Sequence, residues 1–174
     1  MTVTLGKRTP ESSLLTLLQE CHERIRRFAA LAVRLGSAEH EPPASLAEAC
    51  VHCARYFSEA LPLHVADEDQ SLRPRLWGHS ARVDEALELM AQQHREHQGP
   101  LAQLTAALAA LAAAPAQPGL RDALRQIAAP LQEAFLAHLA LEEAEVFPVV
   151  ARWSAEQQQA VVLELRERRA AQLG

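Results

Sequence analysis

The sequence predicts an all-α fold, an up-down-up-down four-helix bundle with a short C-terminal fifth helix. Composition is the first indication: 49% of the 174 residues are hydrophobic but only 4% are aromatic, as is typical of helical chains. Periodicity is the second, because apolar residues recur at alternating steps of three and four along four long stretches. Glycine, proline and serine residues that end or begin helices lie between those stretches.

The first predicted helix covers about residues 12–37 and the second about residues 44–76. Glu11-Ser12-Ser13 supplies a capping residue for the first helix. Pro62 lies inside the second helix, where we expect a kink rather than a break. The inward-facing residues follow the helical period: Leu15, Leu18, His22, Ile25, Phe28, Ala32 and Leu35 on the first helix, and Leu46, Cys50, Cys53, Phe57, Ala60, His64, Glu68 and Leu72 on the second.

The third predicted helix covers about residues 81–113 and the fourth about 119–150. Ser80 can cap the third helix, and Gly99-Pro100 should distort it. A capping box at 154–157 begins a fifth helix that ends near residue 170. The inward-facing residues are Val83, Leu87, Met90, His94, His97, Leu101, Leu104, Leu108 and Leu111 on the third helix, and Leu124, Ile127, Leu131, Phe135, His138, Glu142, Glu145 and Val149 on the fourth.

These helices divide the chain into a flexible N-terminal arm (1–11), a four-helix domain (12–150) and a C-terminal helical extension (151–174). A formal net charge of −5 without a long basic run argues against a nucleic-acid partner. No signal peptide is recognisable, and the most apolar run is too short to span a bilayer, so we expect no membrane association. Three cysteines fit a reducing compartment, which favours a cytoplasmic location.

One pattern occurs twice, a histidine followed four residues later by a glutamate: His64 with Glu68, and His138 with Glu142. Residues four apart on a helix point to the same side. Each pair lies within an apolar stripe, where charged groups rarely occur without a partner. A single pair of this kind would be interpreted as a surface contact, but two pairs on inward stripes favour a shared site.

His22 and His94 lie on the other two inward stripes. Either one alone would be interpreted as a hydrogen-bonded core histidine. At about 1.5 Å per residue, however, His22, His64, His94 and His138 all lie roughly 15–20 Å from one end of an up-down-up-down bundle. We therefore expect the four imidazoles to meet in one layer.

Four imidazoles and two carboxylates in an apolar core are costly to desolvate unless they are paired or bound to metal. These groups suit iron, zinc or manganese rather than calcium. Six ligands are too many for one tetrahedral zinc ion and match two metals bridged by glutamates, as in carboxylate-bridged di-iron bundles. The predicted metal ligands are His22, His64, Glu68, His94, His138 and Glu142.

The order of these motifs along four helices resembles the hemerythrin-like, or HHE cation-binding, domain family. The flanking sequence is similar in Cys21-His22-Glu23-Arg24-Ile25, Gln93-His94-Arg95 and Val146-Phe147-Pro148. The resemblance covers about residues 12–150. It implies that the six residues bind two iron ions per chain, joined by an oxo or hydroxo group, with Glu68 and Glu142 as bridging ligands. Iron is preferred to zinc or manganese.

The resemblance also implies a protein that binds or reacts with dioxygen, hydrogen peroxide or nitric oxide, as an enzyme or as a sensor. Oxygen-carrying hemerythrins have two histidines four residues apart on the third helix and an aspartate five residues after the last histidine. Here His97 follows His94 by three residues and Glu142 follows His138 by four. These departures favour redox turnover over reversible oxygen carriage.

Two alternative functions stay open. One is a di-iron oxidase or oxygenase acting on a small organic substrate, with room made by Ala60, Ala134, Ala137 and Ala140. The other is a non-catalytic bundle in which metal only joins the helices. A homodimer is also kept as an option, with the arginine-rich segment 166–169 either as a solvated face or as the dimer contact.

Several further residues have two interpretations. His97 is interpreted as a pocket wall or a supporting partner rather than a ligand, and Glu145 as a weaker candidate for an extra carboxylate. Asp67, Asp69 and Glu143 flank the ligands and are expected to be solvated or supporting. Cys50 and Cys53 suggest a zinc or redox pair, but buried small residues are the favoured interpretation because no second pair exists.

Overall fold

The computed structural model describes residues 13–37 and 41–172. Within these residues the chain is helical and contains no strand, which confirms the predicted all-α fold, an up-down-up-down four-helix bundle with a short fifth helix. The N-terminal arm at 1–11 lies outside the described residues. The helices are α1 (Leu14–Gly36), α2 (Pro43–Arg55), α3 (Leu61–Ala66), α4 (Arg73–Leu76), α5 (Ala81–Ala113), α6 (Leu120–Glu145), α7 (Phe147–Val150) and α8 (Ala155–Ala171).

Three of the predicted helix starts are confirmed by their capping hydrogen bonds. The Ser13 hydroxyl accepts from the Thr16 backbone N–H, and the Ser80 hydroxyl accepts from that of Val83. At the start of α8, the Ser154 hydroxyl accepts from the Gln157 N–H, and the Gln157 side chain accepts from the Ser154 N–H. These contacts satisfy N–H groups that the first turn of a helix leaves without partners.

The second bundle helix runs without a break from α2 to α4 through two π-helical turns, Tyr56–Ala60 and Asp67–Leu72. Each turn ends where the residue before a proline donates to a carbonyl five positions back, Leu61 to Tyr56 and Arg73 to Glu68. Pro62 and Pro74, which follow, have no N–H to donate. The wider turns therefore accommodate the prolines, and π-helical turns are frequent at functional sites.

Pro100 and Pro148 affect their helices in different ways. The expected distortion at Gly99-Pro100 does not interrupt α5, which includes Pro100. The fourth bundle helix, expected to reach residue 150, ends instead at Glu145, and α7 begins at Phe147. Pro148 explains that interruption, because its nitrogen cannot donate to the carbonyl four residues earlier.

The core consists of two apolar clusters, one on each side of a polar layer. The first cluster contains Ile25, Phe57, Leu104 and Leu139 among its members, and the second contains Leu18, Leu72, Met90 and Val146. Each bundle helix contributes to both clusters and contributes buried polar residues between them. Those polar residues are His22, His64, Asp67, Glu68, Ser71, His94, His97, His138 and Glu142. Charged side chains thus lie in the middle of the bundle rather than at its ends.

Helix α8 packs on the second cluster through three buried residues, Val161, Val162 and Leu165. It lies against the second π-helical turn and against α1. In the arginine-rich segment of α8, Arg168 and Arg169 do not belong to a solvated face, because both donate to the buried Asp67 carboxylate, whereas Arg166 is exposed. None of the described helices is long and apolar enough to cross a membrane.

Candidate metal centre

The six predicted ligands lie together in the polar layer, and all six are buried. Their donor atoms form two groups, within each of which the atoms are no more than 4.8 Å apart. Because Glu68 belongs to both groups, its two oxygens face two adjacent points. Glu142 belongs to one group. The groups are His22, His64, Glu68 and Glu142, and Glu68, His94 and His138.

The donor atoms approach one another at distances that a shared ion would impose. His64 Nε2 lies 2.7 Å from Glu68 Oε1, and His94 Nε2 lies 2.8 Å from Glu68 Oε2. His22 Nε2 lies 2.8 Å from Glu142 Oε2. Metal–nitrogen and metal–oxygen bonds of about 2 Å place neighbouring donor atoms about 3 Å apart.

Several of these atoms are buried without a hydrogen-bond partner among the described residues. They are His64 Nε2, both Glu68 oxygens and Glu142 Oε1. A buried polar atom that forms no hydrogen bond is costly. The short contacts of His64 and His94 with Glu68 lack hydrogen-bond geometry, as expected where lone pairs converge on a common point, whereas His22 Nε2 and Glu142 Oε2 are hydrogen-bonded. The donor set therefore fits bound cations better than it fits a hydrogen-bonded core.

A second set of contacts surrounds the histidines. In each contact, a side chain that neighbours a predicted ligand in sequence lies against the histidine of the next bundle helix. The fourth helix contacts the first in the same way, so the four contacts form a closed ring. Three are hydrogen bonds at Nδ1, with distances of 2.8 Å for His22, 3.2 Å for His94 and 2.8 Å for His138. The fourth is a close approach of Cys21 to His64, whose Nδ1 forms no hydrogen bond among the described residues. The pairs are Cys21 with His64, Asp69 with His94, Gln93 with His138, and Glu143 with His22.

The three hydrogen bonds of this ring determine the orientation of the His22, His94 and His138 imidazoles. An oxygen acceptor at Nδ1 places the ring proton there and leaves the Nε2 lone pair directed at the centre. Glu143 is itself held by Arg26 at 2.7 Å and 2.8 Å. Asp69 and Glu143 therefore take the supporting role that was one of their two interpretations, whereas Gln93 and Cys21 were missed. Their only sequence signal is adjacency to a predicted ligand.

The electrostatics of the layer favour positive charge. Burial alone would lower the pKa of His94, but the hydrogen bond to Asp69 and the close Glu68 carboxylate raise that pKa to about 9. Burial alone would raise the pKa of Glu68, but the charge of His64 and close contacts with three histidines hold it well below its usual range. Burial, with the nearby charge of Glu68, raises the pKa of Glu142 to about 7. Metal-free, the layer retains protons at the positions where cations would bind.

Two of the weaker candidates lie away from the donor groups. Glu145, expected to face inward, instead accepts from the Arg82 guanidinium at 2.5 Å and 2.6 Å on the outside of the bundle. Asp67 precedes Glu68 but faces α8, where Arg168 and Arg169 neutralise it. Cys50 and Cys53 are buried in the first apolar cluster, as favoured, and burial raises the pKa of Cys53 to about 12.

His97 belongs to neither donor group. It lines a cavity of about 30 Å³ that also exposes the rings of His64, His94 and His138 among apolar side chains. Ala60, Ala134, Ala137 and Ala140 do not line this cavity, and Ala60, expected to face inward, is exposed. His97 is thus part of a pocket wall beside the second donor group.

Comparison with known proteins gives one result that bears on this centre. A family model described as the hemerythrin HHE cation binding domain matches residues 13–150, and a second match covers residues 85–171. The first match contains both donor groups. A search of curated proteins found no match.

Proposed function

Because the chain belongs to the hemerythrin HHE cation-binding domain family, we propose that it is a non-haem di-iron protein that reacts with dioxygen, hydrogen peroxide or nitric oxide. Family membership supports a metal-binding helical bundle. Iron as the metal, two ions per chain, and redox reactivity toward these small molecules are the proposal. His22, His64, Glu68, His94, His138 and Glu142 are the proposed ligands.

The observation that carries the proposal is the position of Glu68. Its two carboxylate oxygens face separate groups of donor atoms, and neither oxygen has a hydrogen-bond partner in the described part of the chain. A carboxylate in this arrangement is suited to bridging two cations. The mixture of imidazole and carboxylate donors favours iron, manganese or zinc over calcium.

The protein's own contribution is binding, orientation and exclusion of water. When bound, iron supplies the electrons for reduction of a small oxidant. Glu68 and Glu142 supply negative charge that would bind the cations, and the outer hydrogen bonds direct the Nε2 atoms of His22, His94 and His138 inward. The two apolar clusters on either side of the layer limit access of bulk water.

The organic-substrate alternative is less well supported. Pockets for organic ligands commonly have volumes of about 300–1,000 Å³, whereas the cavity beside the donor groups is about 30 Å³. The alternative in which metal only joins the helices makes a different prediction, namely that reduced, metal-loaded protein is unchanged by oxidants.

The proposed domain organisation and location follow from the same features. We propose that residues 12–150 form the metal-binding domain and that 151–174 form a helical extension, whose α8 packs on the domain beside Glu68. We also propose a cytoplasmic location, because three free cysteines fit a reducing compartment.

The test is metal analysis of protein loaded with ferrous iron without oxygen. We expect about two iron ions per chain in the wild type and well under one in Glu68→Gln, because that variant cannot supply two anionic oxygens. Glu133→Gln, an exposed position on α6, is the matched control. Adding oxygen, peroxide or nitric oxide should change the near-ultraviolet absorption of the loaded wild type. Absence of bound iron, or loaded protein inert to all three, would contradict the proposal.

A further inference from the structure

The cavity beside the second donor group limits the size of what can reach it. Its volume of about 30 Å³ compares with roughly 10–15 Å³ for one water molecule measured in the same way. There is room for two or three non-hydrogen atoms, and an organic substrate is too large. The apolar part of the wall includes Leu61, Leu101 and Phe135.

His97 is a polar side chain in this wall and belongs to neither donor group. It lies on α5 three residues after His94 and is only 9% exposed. Its ring meets Phe135 edge to face at 5.1 Å between centroids, and His138 at 6.0 Å. No hydrogen bond from the His97 ring is found among the described residues. An imidazole carries at least one N–H donor in any protonation state, so His97 contributes a donor to a cavity that is otherwise lined by apolar side chains and by the rings of His64, His94 and His138.

We propose that His97 is a ligand-orienting residue, which donates a hydrogen bond to a diatomic or triatomic molecule in this cavity. The inference rests on the proposed function and adds a specific residue to it. The packing of Phe135 against the His97 ring restricts ring rotation, and a donor of limited mobility can select among ligands by the position of their outer atom.

The test uses azide, a linear three-atom anion that accepts hydrogen bonds, on oxidised iron-loaded protein. We expect His97→Leu to weaken azide binding about three- to tenfold, the loss of one hydrogen bond. His97→Gln keeps an N–H donor and should remain within about twofold of the wild type. Gln98→Leu, at the exposed neighbouring position, is the control. The azide stretching frequency, measured by infrared spectroscopy, should shift in His97→Leu and remain unchanged in Gln98→Leu.

Iron content and melting temperature are measured for every variant, and His97→Met serves as a second donor-free variant if His97→Leu does not fold. Unchanged azide affinity and stretching frequency in the donor-free variant would overturn the role of His97 while leaving the di-iron proposal intact. Loss of iron from that variant would show that His97 is itself a ligand and would also overturn it. A wild type that binds no iron would refute the proposed function first, and this inference with it.

Discussion

At the scale of single residues, the histidines are held from outside the centre as well as from inside. The ring of contacts involving Cys21, Asp69, Gln93 and Glu143 links each bundle helix to the next. An imidazole that is free to rotate loses part of its affinity for metal, because its lone pair must first be oriented. The ring is therefore expected to contribute to metal binding although it supplies no ligand.

Glu143 offers the clearest test of that contribution. We expect Glu143→Leu to weaken metal binding about 10- to 100-fold, since His22 loses its outer partner. Glu143→Gln keeps an oxygen acceptor and should lose less. Competition with a coloured chelator measures both affinities, and Glu133→Leu on the same helix is the control. Equal affinities for Glu143→Leu and the control would show that the ring is not needed.

Protons should compete with metal at this centre. In the metal-free chain, the pKa of His94 is raised to about 9, and the pKa values of His22 and His64 are raised as well. Metal binding must release those protons, so ferrous iron affinity should increase about tenfold or more per pH unit between about pH 6 and pH 8. Anaerobic titrations at several pH values measure the slope, and a flat profile would contradict this expectation.

The folding stability of the metal-free chain should decrease as the pH rises, whereas its affinity for iron increases. A group whose pKa is higher in the folded chain stabilises the fold fully below its unfolded pKa, about 6.5 for histidine, and that stabilisation is lost as the pH rises through the folded value. For His94 that window extends to about pH 9. Urea unfolding of the metal-free protein should therefore show lower stability at about pH 9 than at about pH 6.

At the scale of secondary-structure elements, the second bundle helix and α8 are connected through Asp67. This carboxylate is fully buried and its partners, Arg168 and Arg169, are partly exposed. Arg168 also donates to Ser71 at 3.0 Å. Since Glu68 follows Asp67 in the same π-helical turn, docking of α8 restrains the turn that carries the proposed bridging ligand.

Because Asp67 is more buried than Arg168 and Arg169, removing the arginines should lower the free energy of unfolding more than removing the Asp67 charge does. Replacing both arginines by methionine leaves the Asp67 charge buried and unpaired, and should cost about 3–5 kcal/mol of unfolding free energy. Asp67→Asn should cost less, because the guanidinium groups can reach water. Arg75→Met, which removes a half-exposed pair with Glu164, should cost about 1 kcal/mol or less. Urea unfolding compares the three. A double variant no worse than Arg75→Met would show that Asp67 does not depend on α8.

At the scale of the whole molecule, the bundle is two apolar clusters joined by a polar layer. Without bound cations, that layer contains buried acceptor atoms that lack hydrogen-bond partners in the described residues. The clusters alone bring the helices together, but the middle of the bundle is then its least favourable part. Metal binding should therefore stabilise the fold as well as supply chemistry.

Removal of metal should lower the melting temperature. Free metal at about 1,000 times its dissociation constant stabilises the fold by about 4 kcal/mol, which for a chain of this size corresponds to roughly 8–16 °C. Calorimetry before and after dialysis against a chelator measures the difference, and restoring iron should reverse it. Glu68→Gln, which should bind little iron, is the control and should show almost no shift. A wild type that melts at the same temperature with and without metal would contradict this account.

Local sequence patterns are sufficient to predict the all-α bundle, most helix boundaries and the depth at which six metal-ligand candidates lie. Helical period and capping are local, so Ser13, Ser80 and Ser154 identify helix starts without knowledge of the fold. His22, His64, His94 and His138 share a depth because helix rise per residue is constant. Even the interruption before Pro148 has a local cause, the missing N–H of proline.

Which side chains meet across helices depends on how the helices pack. The sequence does not show that Glu143 reaches His22 or that Asp67 faces α8, because the direction of a side chain depends on which neighbouring helix packs beside it. For the same reason, Glu145 faces Arg82 outside the bundle although the helical period places it near the inward stripe. The division of donors into two groups that share Glu68 is likewise a matter of distances between helices. Periodicity specifies the face of a helix, whereas packing specifies the partner.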